Sequence, residues 1–170
     1  MMKHETEVLY QLCTKASEFD GEWKWQGAGM SYLIRTRENR LIAIDGGHEE
    51  DAPNLIEKMR EITGEETPNV ALWMITHPHT DHYRALLEIS QNEIYRRAVK
   101  IDQLCYQLPP NPIPATGFAF GGVKKEVDAL TENLGLPVLT PHTGDVLDID
   151  GVKLRFFFTP EDFDRLKDGN

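Results

Sequence analysis

The chain has little cysteine, only Cys13 and Cys105 in 170 residues. Two thiols, neither in a Cys-x-x-Cys pair, exclude a disulfide framework. Both read as small buried hydrophobes, compatible with a reducing, cytoplasmic setting. No apolar run approaches the ~20 residues of a membrane span. The polar opening, Met1-Met2-Lys3-His4-Glu5-Thr6-Glu7, has no signal-peptide core. Basic charge is also scarce, with 18 Lys and Arg against 28 Asp and Glu, a formal net charge of −10. That balance argues against broad, charge-driven nucleic-acid binding, which needs clustered cations. Two small basic groups, Arg35/Arg37/Arg40 and Arg96/Arg97/Lys100, read as solvated faces, with a local phosphate-contacting patch as the alternative.

The apolar fraction of 40% is enough for one domain with a substantial core. Residues 1–20 read as a lead-in and 21–170 as the domain. Ser31–Arg35 and Leu41–Asp45 have strand patterns, joined by the polar turn Arg37-Glu38-Asn39-Arg40. Asp51 is placed to cap a helix that has Pro53 in its first turn, an apolar face of Leu55, Ile56, Met59 and Ile62, and a stop at Gly64. A strand begins at Val70, a short helix at Tyr83, and a further strand covers Ala98–Tyr106. Pro109-Pro110-Asn111-Pro112-Ile113-Pro114 excludes regular helix and central strand and reads as a loop near the site. Val123–Leu134 is a helix closed by Gly135, and Val146–Ile149 with Val152–Phe156 a hairpin turned by Asp150-Gly151. Strands alternating with helices, plus hairpins, give a layered α/β or α+β domain.

The densest chemistry is His77-Pro78-His79-Thr80-Asp81-His82, directly after the apolar run Val70–Ile75. His77 and His79, one residue apart, project to the same side of an extended backbone, which Pro78 favours. Asp81 and His82 stand where the chain turns into a helix. Imidazoles and carboxylates are ligands for first-row metals, so the segment offers two donor pairs, His77/His79 and Asp81/His82, to two neighbouring cations.

His-x-His-x-Asp-His at this position resembles the signature of the metallo-β-lactamase superfamily. Ser31–Asp45, ending in Asp45-Gly46-Gly47, is similar to its early hairpin and glycine turn. Gly144–Leu154 resembles a later hairpin, particularly that of the competence-protein C-terminal domain branch. The resemblance implies a four-layer αββα sandwich, here reaching only the N-terminal part of the domain and incomplete at the C-terminus. It also implies two zinc ions, with manganese or iron as alternatives: His77 and His79 on one, Asp81 and His82 on the other. Asp45 is expected close by, either supporting the ligands by hydrogen bonds or capping the Gly46-Gly47 turn. His142 is a candidate third histidine, although in the competence-type branch this place is a linker. His48 reads as an exposed loop residue and His4 as part of a disordered start. Where the family has Gly-Gly after the motif, this chain has Tyr83-Arg84-Ala85.

The expected activity is hydrolysis by water that the metals activate, with Asp81 both ligand and orienting carboxylate. The substrate would be a small molecule or a phosphodiester, with no membrane partner. The competing expectation is a truncated or degenerate metal-binding module without catalysis, with an interaction role or as a homodimer.

Overall fold

The computed structural model describes residues 6–12, 29–109 and 121–162. His4, Cys13 and residues 110–114 of the proline-rich stretch lie outside the described residues. The elements are β1 (Val8–Gln11), β2 (Ser31–Arg35), β3 (Leu41–Asp45), α1 (Ala52–Thr63), β4 (Asn69–Met74), α2 (Thr80–Gln91), α3 (Glu93–Ala98), β5 (Lys100–Ile101), β6 (Leu104–Cys105), α4 (Gly121–Leu134), β7 (Val138–Leu139), β8 (Val146–Ile149) and β9 (Val152–Arg155). β1 falls inside the segment read as a lead-in and is hydrogen-bonded antiparallel to β2.

The main sheet runs β1-β2-β3-β4-β6-β7, with β5 also on β4. Its β1-β2-β3 half is antiparallel, while β3, β4, β6 and β7 are parallel. A parallel pair needs a crossover, and α1 supplies the one between β3 and β4. Alternation along the strands divides the core in two. Leu33, Leu41, Ala43, Trp73, Ile75 and Leu104 face the helices, meeting Leu55, Met59, Leu86, Ile89, Val127 and Leu130. Ile42, Leu72 and Cys105 face the other way, against the β8-β9 hairpin through Leu147, Ile149, Val152 and Leu154. Each fully buried aliphatic side chain contributes about 1.5–3 kcal/mol. The result is a mixed α+β domain of three layers: helices, main sheet and hairpin. Among the described residues there is no fourth, outer helical layer.

One irregularity sets the geometry of β4. Leu41 pairs with Val70 but Ile42 pairs with Leu72, so Ala71 is an extra residue, a bulge. Val70 and Trp73, three apart, consequently share the helix face. The neighbouring strand breaks at the same level, into β5 and β6, so the single strand expected over Ala98–Tyr106 is two short ones preceded by α3. Asn92 accounts for α3: it ends α2, and its side chain accepts from Ile94 N at 3.0 Å and Tyr95 N at 3.5 Å to start the next helix.

The capping of α1 and the start of α2 also differ from expectation, while Gly64 and the Asp150-Gly151 turn stand where they were expected. Asp51 does not cap α1 with its side chain; its carboxylate accepts from His48 N at 2.9 Å and closes the short 3-10 turn Glu49–Asp51. Gly64, at φ 69°, ends α1 by donating to Arg60 O. α2 starts at Thr80, which puts Asp81 and His82 inside its first turn. The hairpin turn has positive φ at Asp150 and Gly151, the type I′ pattern that suits strand twist. Arg40 grips it: Nε donates to Asp150 Oδ2 at 2.9 Å and Nη2 to Oδ1 at 2.6 Å, while Thr36 Oγ1 donates to Oδ2 at 2.9 Å. The basic groups are largely paired in this way, Arg37 with Glu7, Arg97 with Glu93 and Lys100 with Asp102. No helix among the described residues is long and apolar enough to cross a membrane.

Candidate metal centre

The ends of parallel strands are where an α/β sheet leaves room for ligands. At the carboxyl end of β3 stands Asp45, and at that of β4 the segment from Thr76 to His82. Asp45 is fully buried, with φ at 58°, a left-handed conformation rare outside glycine and tolerated best by Asn and Asp. Trp73 Nε1 fixes its carbonyl at 3.0 Å. Gly46 comes next because a Cβ there would lie 3.2 Å from Ala85 Cβ and 3.4 Å from Leu55 and Trp73. The turn therefore lies flush against α2, and Ala85 N donates to Gly47 O at 3.2 Å.

The Asp45 carboxylate accepts three hydrogen bonds. Oδ1 takes Thr76 N at 2.8 Å; Oδ2 takes Thr76 Oγ1 at 2.7 Å and His82 Nδ1 at 2.8 Å. These contacts assign the tautomers. His82 carries its proton on Nδ1, leaving the Nε2 lone pair free. Thr76 spends its single hydroxyl proton on Asp45, so His77 Nδ1, 3.1 Å from Thr76 Oγ1, must be the donor. His77 Nε2 is then unprotonated as well and is the acceptor in its 3.1 Å contact with His79 Nδ1. Asp45 thus orders both histidines, one directly and one through Thr76. Burial, then the neighbouring His82 and His79 imidazoles, push the His77 pKa below 6.5 against the pull of Asp45 and Asp81, favouring the neutral, ligand-competent ring.

The donor atoms stand in two pairs. His77 Nε2 and His79 Nδ1 are 3.1 Å apart. His82 Nε2 and Asp81 Oδ2 are 3.5 Å apart. Two donors on one zinc, each about 2.0–2.1 Å away at a near-tetrahedral angle, lie about 3.1–3.4 Å from each other. Both spacings are close to that. The His77 and His82 rings, at 3.7 Å between centroids, put the pairs side by side. The donor chemistry and pair spacing fit a metal, but two donors per ion do not close a site. Among the described residues no group of three or more His, Cys, Asp or Glu side chains converges on one position.

The remaining histidines stand elsewhere in the hydrogen-bond network. His142 is exposed, its Nδ1 2.7 Å from Glu161 Oε2 and its backbone N on Asp145 Oδ2 at 2.8 Å. No hydrogen bond among the described residues joins it to the His77–His82 group. His48, expected exposed, is partly buried, with Nε2 enclosed and unpartnered. Its place directly against the turn packed on α2 accounts for that burial.

Sequence reasoning missed Thr76 and, although it noted Tyr83 as a departure from the family pattern, the tie from Tyr83 to Glu126. Thr76 was readable in principle as a hydroxyl directly before His77 at a strand end. Tyr83 is fully buried and its hydroxyl donates to Glu126 Oε2 at 2.5 Å. Burial and then Glu126 push the phenol well above its usual 10.0, so it remains a donor. Beside Thr76 a cleft of about 360 Å³ opens between the ends of β4 and β6 and residues 153–160, lined by Met74, Tyr106, Gln107 and Phe156–Phe158 among others.

A comparison with curated proteins finds no match. The sequence model of the metallo-beta-lactamase superfamily matches residues 25–160, a span that takes in β2 to β9, Asp45 and the whole His77–His82 segment. The chain belongs to the metallo-beta-lactamase superfamily.

Proposed function

We propose that this chain is a metal-dependent hydrolase, with His77 and His79 holding one ion and Asp81 and His82 a second. The observation that carries the reading is the pair of donor spacings, 3.1 and 3.5 Å, with Asp45 and Thr76 keeping the His77 and His82 Nε2 atoms unprotonated. Zinc suits these imidazole and carboxylate donors, and manganese or iron can use them too. When bound, such ions lower the pKa of water and polarise a carbonyl or phosphoryl oxygen. The chain's own residues do the rest. Asp45 keeps the histidine tautomers fixed while the substrate changes charge. Asp81, partly exposed at the mouth of the site, has a second carboxylate oxygen available to accept a proton from attacking water. The cleft beside Thr76 gives the substrate's body an apolar wall. A phosphodiester is the favoured substrate class, supported by the likeness of Gly144–Leu154 to the competence-type hairpin.

Metal analysis of the purified protein beside a His77→Ala/His79→Ala variant tests this. About two equivalents in the parent and their loss in the variant support a dinuclear centre. No metal in the parent overturns it. Assays with phosphodiester and β-lactam substrates then divide the substrate classes.

A second reading, a metal-binding module without catalysis, draws on the lack of a third converging donor among the described residues. Exposed Phe157 and Phe158 suit an interaction role or a homodimer. Metal-loaded protein inactive on every substrate class would favour it.

A further inference from the structure

The two residues after the donor segment form a latch to another helix. The Tyr83 hydroxyl donates to Glu126 Oε2 on α4 at 2.5 Å, and Arg84 Nη2 reaches the other oxygen of the same carboxylate at 3.5 Å. Arg84 Nη1 also donates to Glu49 Oε2 at 3.0 Å, beside the turn that carries Asp45. Arg84 thus bridges two carboxylates, one on α4 and one on the 3-10 turn after β3. Tyr83 is fully buried, and its ring and hydroxyl together fix how the first turn of α2 is rolled. The other ties on that turn are the His82 Nδ1 hydrogen bond to Asp45 Oδ2 at 2.8 Å and two main-chain bonds, Met30 N to Asp81 O at 3.2 Å and His82 N to His79 O at 3.0 Å. Asp45 holds the His82 ring, so a small rotation of the turn moves Asp81 against a held imidazole and changes the Asp81–His82 donor spacing.

We propose that the Tyr83–Glu126–Arg84 latch is a positioning device for the Asp81/His82 donor pair, tying the register of that metal subsite to the seating of α4. The inference rests on the metal-binding reading above and deepens it. The latch bears most directly on one pair: Asp81 and His82 lie within the latched turn, whereas His77 is set by Thr76 and His79 meets the turn through its carbonyl, which accepts from His82 N at 3.0 Å. Loss of the Tyr83 hydroxyl therefore affects the two pairs unequally.

The test is zinc titration of the full chain with ¹⁵N-labelled imidazoles, which reports His77 and His79 separately from His82. In Tyr83→Phe, His82 is expected to respond at about tenfold higher zinc than in the parent, with the His77 and His79 response unmoved. In zinc-free protein its His82 side-chain signal should also shift. Glu126→Gln keeps a carbonyl that accepts from the Tyr83 hydroxyl and should restore most of the parent behaviour. Lys124→Ala, which removes an exposed ion pair with Asp128 on the same helix, serves as the control for α4. If His82 is unchanged in Tyr83→Phe, with and without zinc, while α4 amides exchange faster, the latch is purely structural and the proposal is overturned. If no imidazole of the parent responds to zinc, the metal reading itself fails, and the latch's role toward a metal fails with it.

Discussion

Asp45→Asn alters one terminal atom, and the hydrogen-bond geometry specifies its consequences. The asparagine carbonyl can keep Thr76 N, and asparagine tolerates the left-handed backbone at φ 58°. Its amide nitrogen, however, faces Thr76 Oγ1 and His82 Nδ1, where the carboxylate accepted protons at 2.7 and 2.8 Å. Both partners can reverse roles: the Thr76 hydroxyl accepts and turns its proton toward His77 Nδ1, and His82 moves its proton from Nδ1 to Nε2. All buried groups are then satisfied again, so the stability loss should be only about 1–2 kcal/mol, the difference between charged and neutral hydrogen bonds. Zinc affinity should fall much further, by about 100-fold, because His77 and His82 would both carry a proton on the nitrogen that faces the ion. Asp45→Ala orphans three donors and adds backbone strain, for a loss of about 3–5 kcal/mol. Urea denaturation, zinc competition and ¹⁵N imidazole shifts measure the three quantities. An Asp45→Asn protein that binds zinc within about twofold of the parent, with Nε2 still unprotonated, would refute the tautomer argument.

Two further outcomes concern the hairpin. Arg40→Met removes the two-pronged grip on Asp150 and should destabilise by about 1–3 kcal/mol, with faster hydrogen exchange across residues 146–155; unchanged exchange would show the grip to be dispensable. The contact between His142 and Glu161 should depend on pH. Glu161 raises the His142 pKa above 6.5 and His142 lowers the Glu161 pKa below 4.5. The contribution is complete between those ordinary values; it fades as pH rises through the raised imidazole pKa or falls through the lowered carboxylate pKa. An NMR titration of His142 in Glu161→Gln should return its midpoint toward 6.5, and an unmoved midpoint would rule out the pairing.

The grouping of the candidate donors was legible in the sequence because they are neighbours along the chain: period-two spacing places His77 with His79, and the helix entry places Asp81 with His82. The strands Ser31–Arg35 and Leu41–Asp45, the face Leu55/Ile56/Met59 and the Asp150-Gly151 turn were legible for the same reason, since local pattern and turn chemistry set them. Local pattern hides links made by packing, and only the family resemblance put Asp45 beside the donor segment. Asp45 and His82 are 37 residues apart, and Tyr83 and Glu126 are 43 apart. Nothing in local periodicity indicates that those side chains meet. The strand pattern over Ala98–Tyr106 misled because Val99, Ile101 and Leu104 are buried whether the segment runs straight or breaks. Asn92 was a visible stop-and-start signal, and it marks both the end of α2 and the start of α3.

The extra residue at Ala71 acts as a parity switch for everything downstream of it. In an unbulged strand, Val70, Leu72 and Met74 would share the helix side, and Trp73 and Ile75 would turn toward the hairpin. The added step reverses that order, so Trp73 reaches the Asp45 carbonyl and Thr76 follows Ile75 off the strand in phase with the Asp45 carboxylate. A single backbone insertion, five residues before the first chemically active side chain, thereby selects the side of the sheet from which the donor loop departs.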